Sequence, residues 1–128
     1  MKQEEILKIL SDSTRLRIYK LLIETGIEAA VCELMTATGC THYNVSKHLR
    51  LLHLAGLLKE RKNGRWVFYS IIDTKDKFII QLNKAIKSLN GEIYKQDLKR
   101  FKLRIGMRKN NKIQFCVNNE NNSKIIHK

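Results

Sequence analysis

Apolar positions fall in short blocks along the chain, and their spacing changes from helical to alternating and back again. Ile6, Leu7, Ile9 and Leu10 form a cluster that suits a first helix packed on its neighbours. Ser11-Asp12-Ser13 then offers N-cap side chains. Leu16, Ile18, Leu21 and Leu22 follow at helical spacing, and Gly26 is placed to stop that second helix. Val31, Leu34 and Met35 predict a shorter third helix over 31–38, with Gly39 where a left-handed C-terminal residue is wanted. Cys40 falls in the turn. Thr41 caps a fourth helix running to Gly56, whose buried stripe is Val45, Leu49 and Leu52.

The period then drops to two. Leu58, Glu60 and Lys62 alternate with Lys59 and Arg61, and Trp66, Phe68 and Ser70 alternate with Val67, Tyr69 and Ile71. Asn63-Gly64 between two such runs predicts a tight hairpin, since both residues tolerate positive φ. Helical spacing returns with Phe78, Ile79, Leu82, Ala85, Ile86 and Leu89, predicting a fifth helix from Thr74 to Leu89. Gly91 breaks it, and Ile93 to Leu103 reads as a sixth. From Asn110 the chain turns polar and asparagine-rich, which predicts disorder. The expected architecture is mainly α with a β-hairpin wing, a winged helix-turn-helix. It divides into a DNA-binding and dimerisation domain over 1–90, a helix and cysteine-bearing extension over 91–117, and a disordered tail over 118–128.

Charge narrows the partner. The chain carries 25 Lys and Arg against 12 Asp and Glu, a net +13 over 128 residues. Such an excess favours a polyanion, because each neutralised phosphate releases counterions. No apolar run approaches the ~20 residues of a membrane span. The acidic start, MKQEEILKIL, lacks the features of a signal peptide, so a cytoplasmic location is expected, without a membrane partner. Paired carboxylates, a nucleophile beside a base and a phosphate loop are all missing, so the sequence does not read as an enzyme and implies no organic cofactor.

The fourth helix supplies a chemistry that duplex DNA accepts. His42, Tyr43, Asn44, Ser46, Lys47 and Arg50 lie off its buried stripe, with Thr41 at its cap. The major groove admits one helix, whose first turns reach base edges. Asn44 suits adenine, and Lys47 or Arg50 suits guanine or a phosphate. The wing adds Arg61, Lys62 and Arg65 for the neighbouring backbone or minor groove. Trp66 reads better as packed under the wing than as stacked on a base.

LSDSTRLRIYKLL, AVCEL, NVSKHLRLLHLAGLL and RKNGRWVFYSI resemble, in order and spacing, the ArsR/SmtB family of bacterial transcriptional repressors. The resemblance covers about Ile9 to Ile72. Ser13 stands where that family often has proline, and serine caps equally well. The resemblance implies a homodimer joined through the N-terminal and fifth helices. It also implies a palindromic double-stranded operator, and release when a metal ion, a metalloid ion or an oxidant reaches a sensor.

The sensor is less plain. Arsenic-sensing members carry C-x-C-x-x-C at the third helix; here those positions hold Ala30, Cys32 and Met35, so only the middle cysteine stands. Zinc-sensing members use Asp and His in the fifth helix, and Asp73 to Leu89 contains no histidine. Cys32, Cys40 and Cys116 remain as candidate ligands of arsenite or a similar soft ion, which three thiolates bind well. Cys32 and Cys40 bracket a helix, and eight positions at ~1.5 Å each span roughly 12 Å. Cys116, between Phe115 and Val117, is expected to fold back from the extension. A thiol redox sensor of the same fold, a DNA-binding regulator with no inducer, and buried cysteines that merely fill space are the alternatives. A protein-binding winged helix is another, against which the polar, basic face of the fourth helix argues.

Overall fold

The computed structural model describes residues 1–108, and the expectations for Cys116 and the tail lie outside them. Six helices and three strands follow one another as α1 (Gln3–Leu10), α2 (Ser13–Thr25), β1 (Ala29–Ala30), α3 (Val31–Thr38), α4 (His42–Leu54), β2 (Leu58–Asn63), β3 (Trp66–Ile71), α5 (Lys77–Lys87) and α6 (Glu92–Ile105). This is a winged helix-turn-helix.

The local signals act where the sequence puts them. Asp12 caps α2 by accepting from the Arg15 amide at 3.0 Å. Thr41 caps α4 by accepting from the Asn44 amide at 3.2 Å. Gly39 takes φ 76° at the end of α3, a left-handed turn that costs other L-residues about 1–2 kcal/mol. Three residues then separate α3 from α4, so the two helices cannot run in line.

Ile18, Tyr19 and Leu22 of α2 meet Leu34 and Ala37 of α3, Val45, Leu49 and Leu52 of α4, and Phe101 of α6, in one core. Burying a side chain of this size contributes roughly 1.5–3 kcal/mol. Leu7, read with the first helix's apolar cluster, is instead 49% exposed. The Tyr19 hydroxyl donates to Asn83 of α5 at 2.7 Å, and its burial pushes the phenol up to about 12.

Further features depart from the expectations, and the fourth and fifth helices end at Leu54 and Lys87 rather than at Gly56 and Leu89. Asn63 pairs with Trp66, so the hairpin turns on Gly64-Arg65, one residue later than predicted. Gly64, at φ 63°, supplies the positive φ, and Asn63 has become the last rung of the ladder. The fifth helix starts only at Lys77, because Asp76 accepts from the Phe78 and Ile79 amides and fixes the first turn there. The sheet also has a third strand. Ala29 and Ala30 pair antiparallel with Tyr69 and Phe68, giving the order β1-β3-β2.

The sixth helix, with Arg108 just past its end, lies against α2 and α3 through an apolar side chain and two ion pairs. Phe101 is fully buried. Asp97, 1% exposed, accepts two hydrogen bonds from Arg17 of α2, both 2.8 Å. Glu33 of α3, 0% exposed, accepts two from Arg108 at 2.6 Å, and its carboxylate also takes the Ala30 amide at 3.0 Å. A carboxylate in such a place is tolerable only when its oxygens are satisfied, and these are.

Candidate nucleic-acid interface

Val45, Leu49 and Leu52 are completely buried, and that fixes the rotation of α4 about its axis. Thr41, Tyr43, Asn44 and Arg50 are consequently exposed, and His42, Ser46 and Lys47 are half-buried along the edges. Tyr43 is 71% exposed and carries the Lys47 ammonium 5.8 Å above its ring. A large exposed tyrosine beside a lysine offers a stacking surface and a cation on one face.

The wing stands next to this face. Lys62 and Arg65 are exposed near the tip, and the Arg65 guanidinium lies 5.0 Å from the half-buried Trp66 ring. Arg61 is placed differently from its neighbours. It donates to Glu28 at 2.9–3.1 Å and stacks 4.9 Å over Phe68. The Glu28 carboxylate is held below its usual range by that bond. The Arg61 charge is thus paired within the chain, whereas Lys62 and Arg65 are exposed without a carboxylate partner among the described residues.

A cavity of about 260 Å³ joins the two parts. His42, Ser46 and Arg50 come to it from α4, Arg65 and Trp66 from the wing, and Cys32 from α3. Polar and basic groups from a helix and a hairpin therefore converge on one side of the molecule.

Residues 12–60 match the bacterial regulatory protein arsR family. The chain is 43% identical over 81 residues to an uncharacterized HTH-type transcriptional regulator of Methanocaldococcus jannaschii, covering 63% of this chain and 90% of that one. The chain belongs to the ArsR family. It is also 48% identical over 67 residues to the arsenical resistance operon repressor of Escherichia coli, covering 52% of this chain and 56% of the repressor. A cadmium resistance transcriptional regulatory protein homolog of Staphylococcus aureus is 36% identical over 81 residues, 63% of this chain and 66% of its own. This ArsR-family chain is accordingly a DNA-binding transcriptional regulator and not an enzyme.

Its described cysteines sit at opposite ends of α3. Cys32, 5% exposed, packs with Ala30 and Phe68 under the wing. Cys40 packs on the main core two residues past the helix, its sulfur 3.9 Å from the Thr38 carbonyl. Arg104 of α6 reaches the Cys32 sulfur with one guanidinium nitrogen at 3.7 Å. Cys32 is disulfide-bonded, whereas Cys40 is a free thiol. Among the described residues no three His, Cys, Asp or Glu side chains converge as metal ligands. None of the described helices is long and apolar enough to cross a membrane.

The sequence reading missed His48, Glu33, Asp97 and Arg104, all buried. For His48 a signal was present: it stands three residues after Val45 and four before Leu52, so it borders the buried stripe.

Proposed function

We propose that two copies of this chain occupy a palindromic operator in the cytoplasm and repress transcription, leaving the DNA when arsenite or a related soft ion is captured by cysteine thiolates. The observation that carries the DNA half is the single polar, basic face shared by α4 and the wing. Asn44, Ser46, Lys47 and Arg50 take the base edges and nearby phosphates, with Thr41, His42 and Tyr43 flanking them, and Lys62 and Arg65 the backbone beside them. Leu7, half exposed on α1, and Phe78 and Leu82, half-buried on α5, are the apolar surface that a second copy covers. Recognition helices one DNA turn apart then read two half-sites.

The sensing half rests on placement. Cys32 lies between Arg104 and the cavity that Arg50 and Arg65 line, so a ligand there acts directly behind the reading face. Cys32 and Cys40 are at opposite ends of a helix, so the ligand set draws on Cys116, from the same chain or its partner. The disulfide-bonded state of Cys32 favours a second reading, in which oxidation of thiols carries the signal.

An operator-release titration distinguishes these. Arsenite, cadmium and a mild oxidant are added to the protein–operator complex, for wild type and for Cys32→Ser, Cys40→Ser and Cys116→Ser. Release by arsenite or cadmium that is lost in Cys32→Ser and Cys116→Ser supports the ion sensor. Release by the oxidant alone selects the redox reading. An effect of ~1–3 kcal/mol lowers operator affinity about 5- to 150-fold. No release under any condition rejects both.

A further inference from the structure

The recognition helix is attached to the rest of the molecule by a polar strut that its DNA-reading role does not require. Arg15, in the first turn of α2, donates from Nε to Nδ1 of His48 on α4 at 3.1 Å. Its Nη1 donates to the Ile9 carbonyl near the end of α1 at 2.7 Å. One side chain thereby spans three helices. His48 is only 6% exposed, and it directly follows Lys47 and lies two residues before Arg50.

This geometry fixes the protonation state. An Nδ1 that accepts from a guanidinium carries no proton, so the imidazole is neutral with its hydrogen on Nε2. The Nε2 atom faces Asp12 Oδ1 at 3.8 Å. A second proton would set donor against donor and cation against cation across the 3.1 Å Arg15–His48 contact. The contact is then lost, and with it one tie that holds α4 to α2.

We infer that Arg15 and His48 form a proton-sensitive strut that positions the recognition helix, so that operator affinity falls as His48 becomes charged. The inference rests on the operator-reading role of α4. Three charged groups act on His48: Asp12 and Arg15 from α2, and Lys47 of its own helix. Among the described residues α3 and β2, also packed on α4, bring none that acts on it. Burial, assisted by the two cations, pushes the ring below the ordinary histidine value, and Asp12 opposes this without overcoming it. Asp12 stays ionised, because the Arg15 amide holds its carboxyl low. A base whose pKa is depressed in the docked state favours that state above its ordinary value, ~6.5, and loses the advantage as pH falls through the lowered one. Mildly acid conditions therefore loosen α4, and neutral conditions seat it.

The test is an operator-affinity series from about pH 8 to about pH 5.5 at fixed salt, with an unrelated duplex as control. Wild type is expected to lose affinity for the operator on acidification, by about tenfold for each unit that docking depresses His48. The control duplex lacks that component. His48→Gln keeps an acceptor for Arg15 without a titrating ring, so it should bind like wild type near pH 8 and remain flat below. Asp12→Asn still caps α2 and should move the wild-type midpoint to lower pH. A His48→Gln profile that follows wild type overturns the strut. So does a proton NMR titration of the wild-type protein in which the His48 ring titrates at or above the ordinary value, a measurement that needs no variant to fold. Absence of operator binding at every pH fails the DNA-reading proposal itself, whereas binding that ignores pH fails only this inference.

Discussion

Three basic residues in the proposed reading face are placed for different work, and substitution separates them. Lys47 and Arg50 sit on α4 where base edges are within reach, so Lys47→Ala or Arg50→Ala should weaken operator binding by ~1–3 kcal/mol and relax specificity. Arg65, near the wing tip, should lower affinity for every duplex alike when changed to alanine, and flatten the salt slope by about one. Fluorescence anisotropy on operator and scrambled DNA at several salt concentrations reads both effects. A sequence-selective loss from Arg65→Ala contradicts the wing assignment. These exposed candidates were legible in the sequence because a buried stripe at i, i+4 and i+7 dictates which neighbours point out. The buried polar pairs were not. Arg17 and Asp97 are 80 positions apart, and Glu33 and Arg108 are 75 apart, so no local pattern announces them. Asp97→Ala should cost about 3 kcal/mol or more in a urea titration, because it strands a largely buried guanidinium.

At the scale of elements, caps and glycines marked the helix starts and stops well. Thr41 and Gly39 placed the turn before α4 correctly, since each acts through its own backbone. The wing turn slipped by one residue, since Asn-Gly satisfies two alternative registers and the rung between Asn63 and Trp66 decides between them. β1 had no local signal, because two alanines carry no alternation; only β3 makes them a strand. The sixth helix was visible as a helix, but nothing nearby in sequence told which surface it covers. Its anchor makes a sharp prediction. Phe101→Ala should destabilise the fold by about 3–5 kcal/mol, measured by urea or thermal unfolding. The residual fold should retain far-ultraviolet helicity while α6 amides lose exchange protection first.

Taken whole, the molecule is a cation with one working face. A net charge of +13 favours fast, salt-sensitive encounter with any duplex, and in the proposed reading the few groups on α4 select among sequences afterwards. Raising salt should therefore weaken operator and random DNA together while their ratio changes little. The short ladder from Ala29 and Ala30 to the returning strand has a mechanical corollary. It ties the hairpin to the foot of α3, because Ala30 directly precedes Val31. Under the proposed function the wing and α3 move as one piece, so a switch has to lift or rotate them together. Dyes on the wing and on α4 of one chain should keep their separation when the inducer arrives. Dyes on the wings of two paired chains should not.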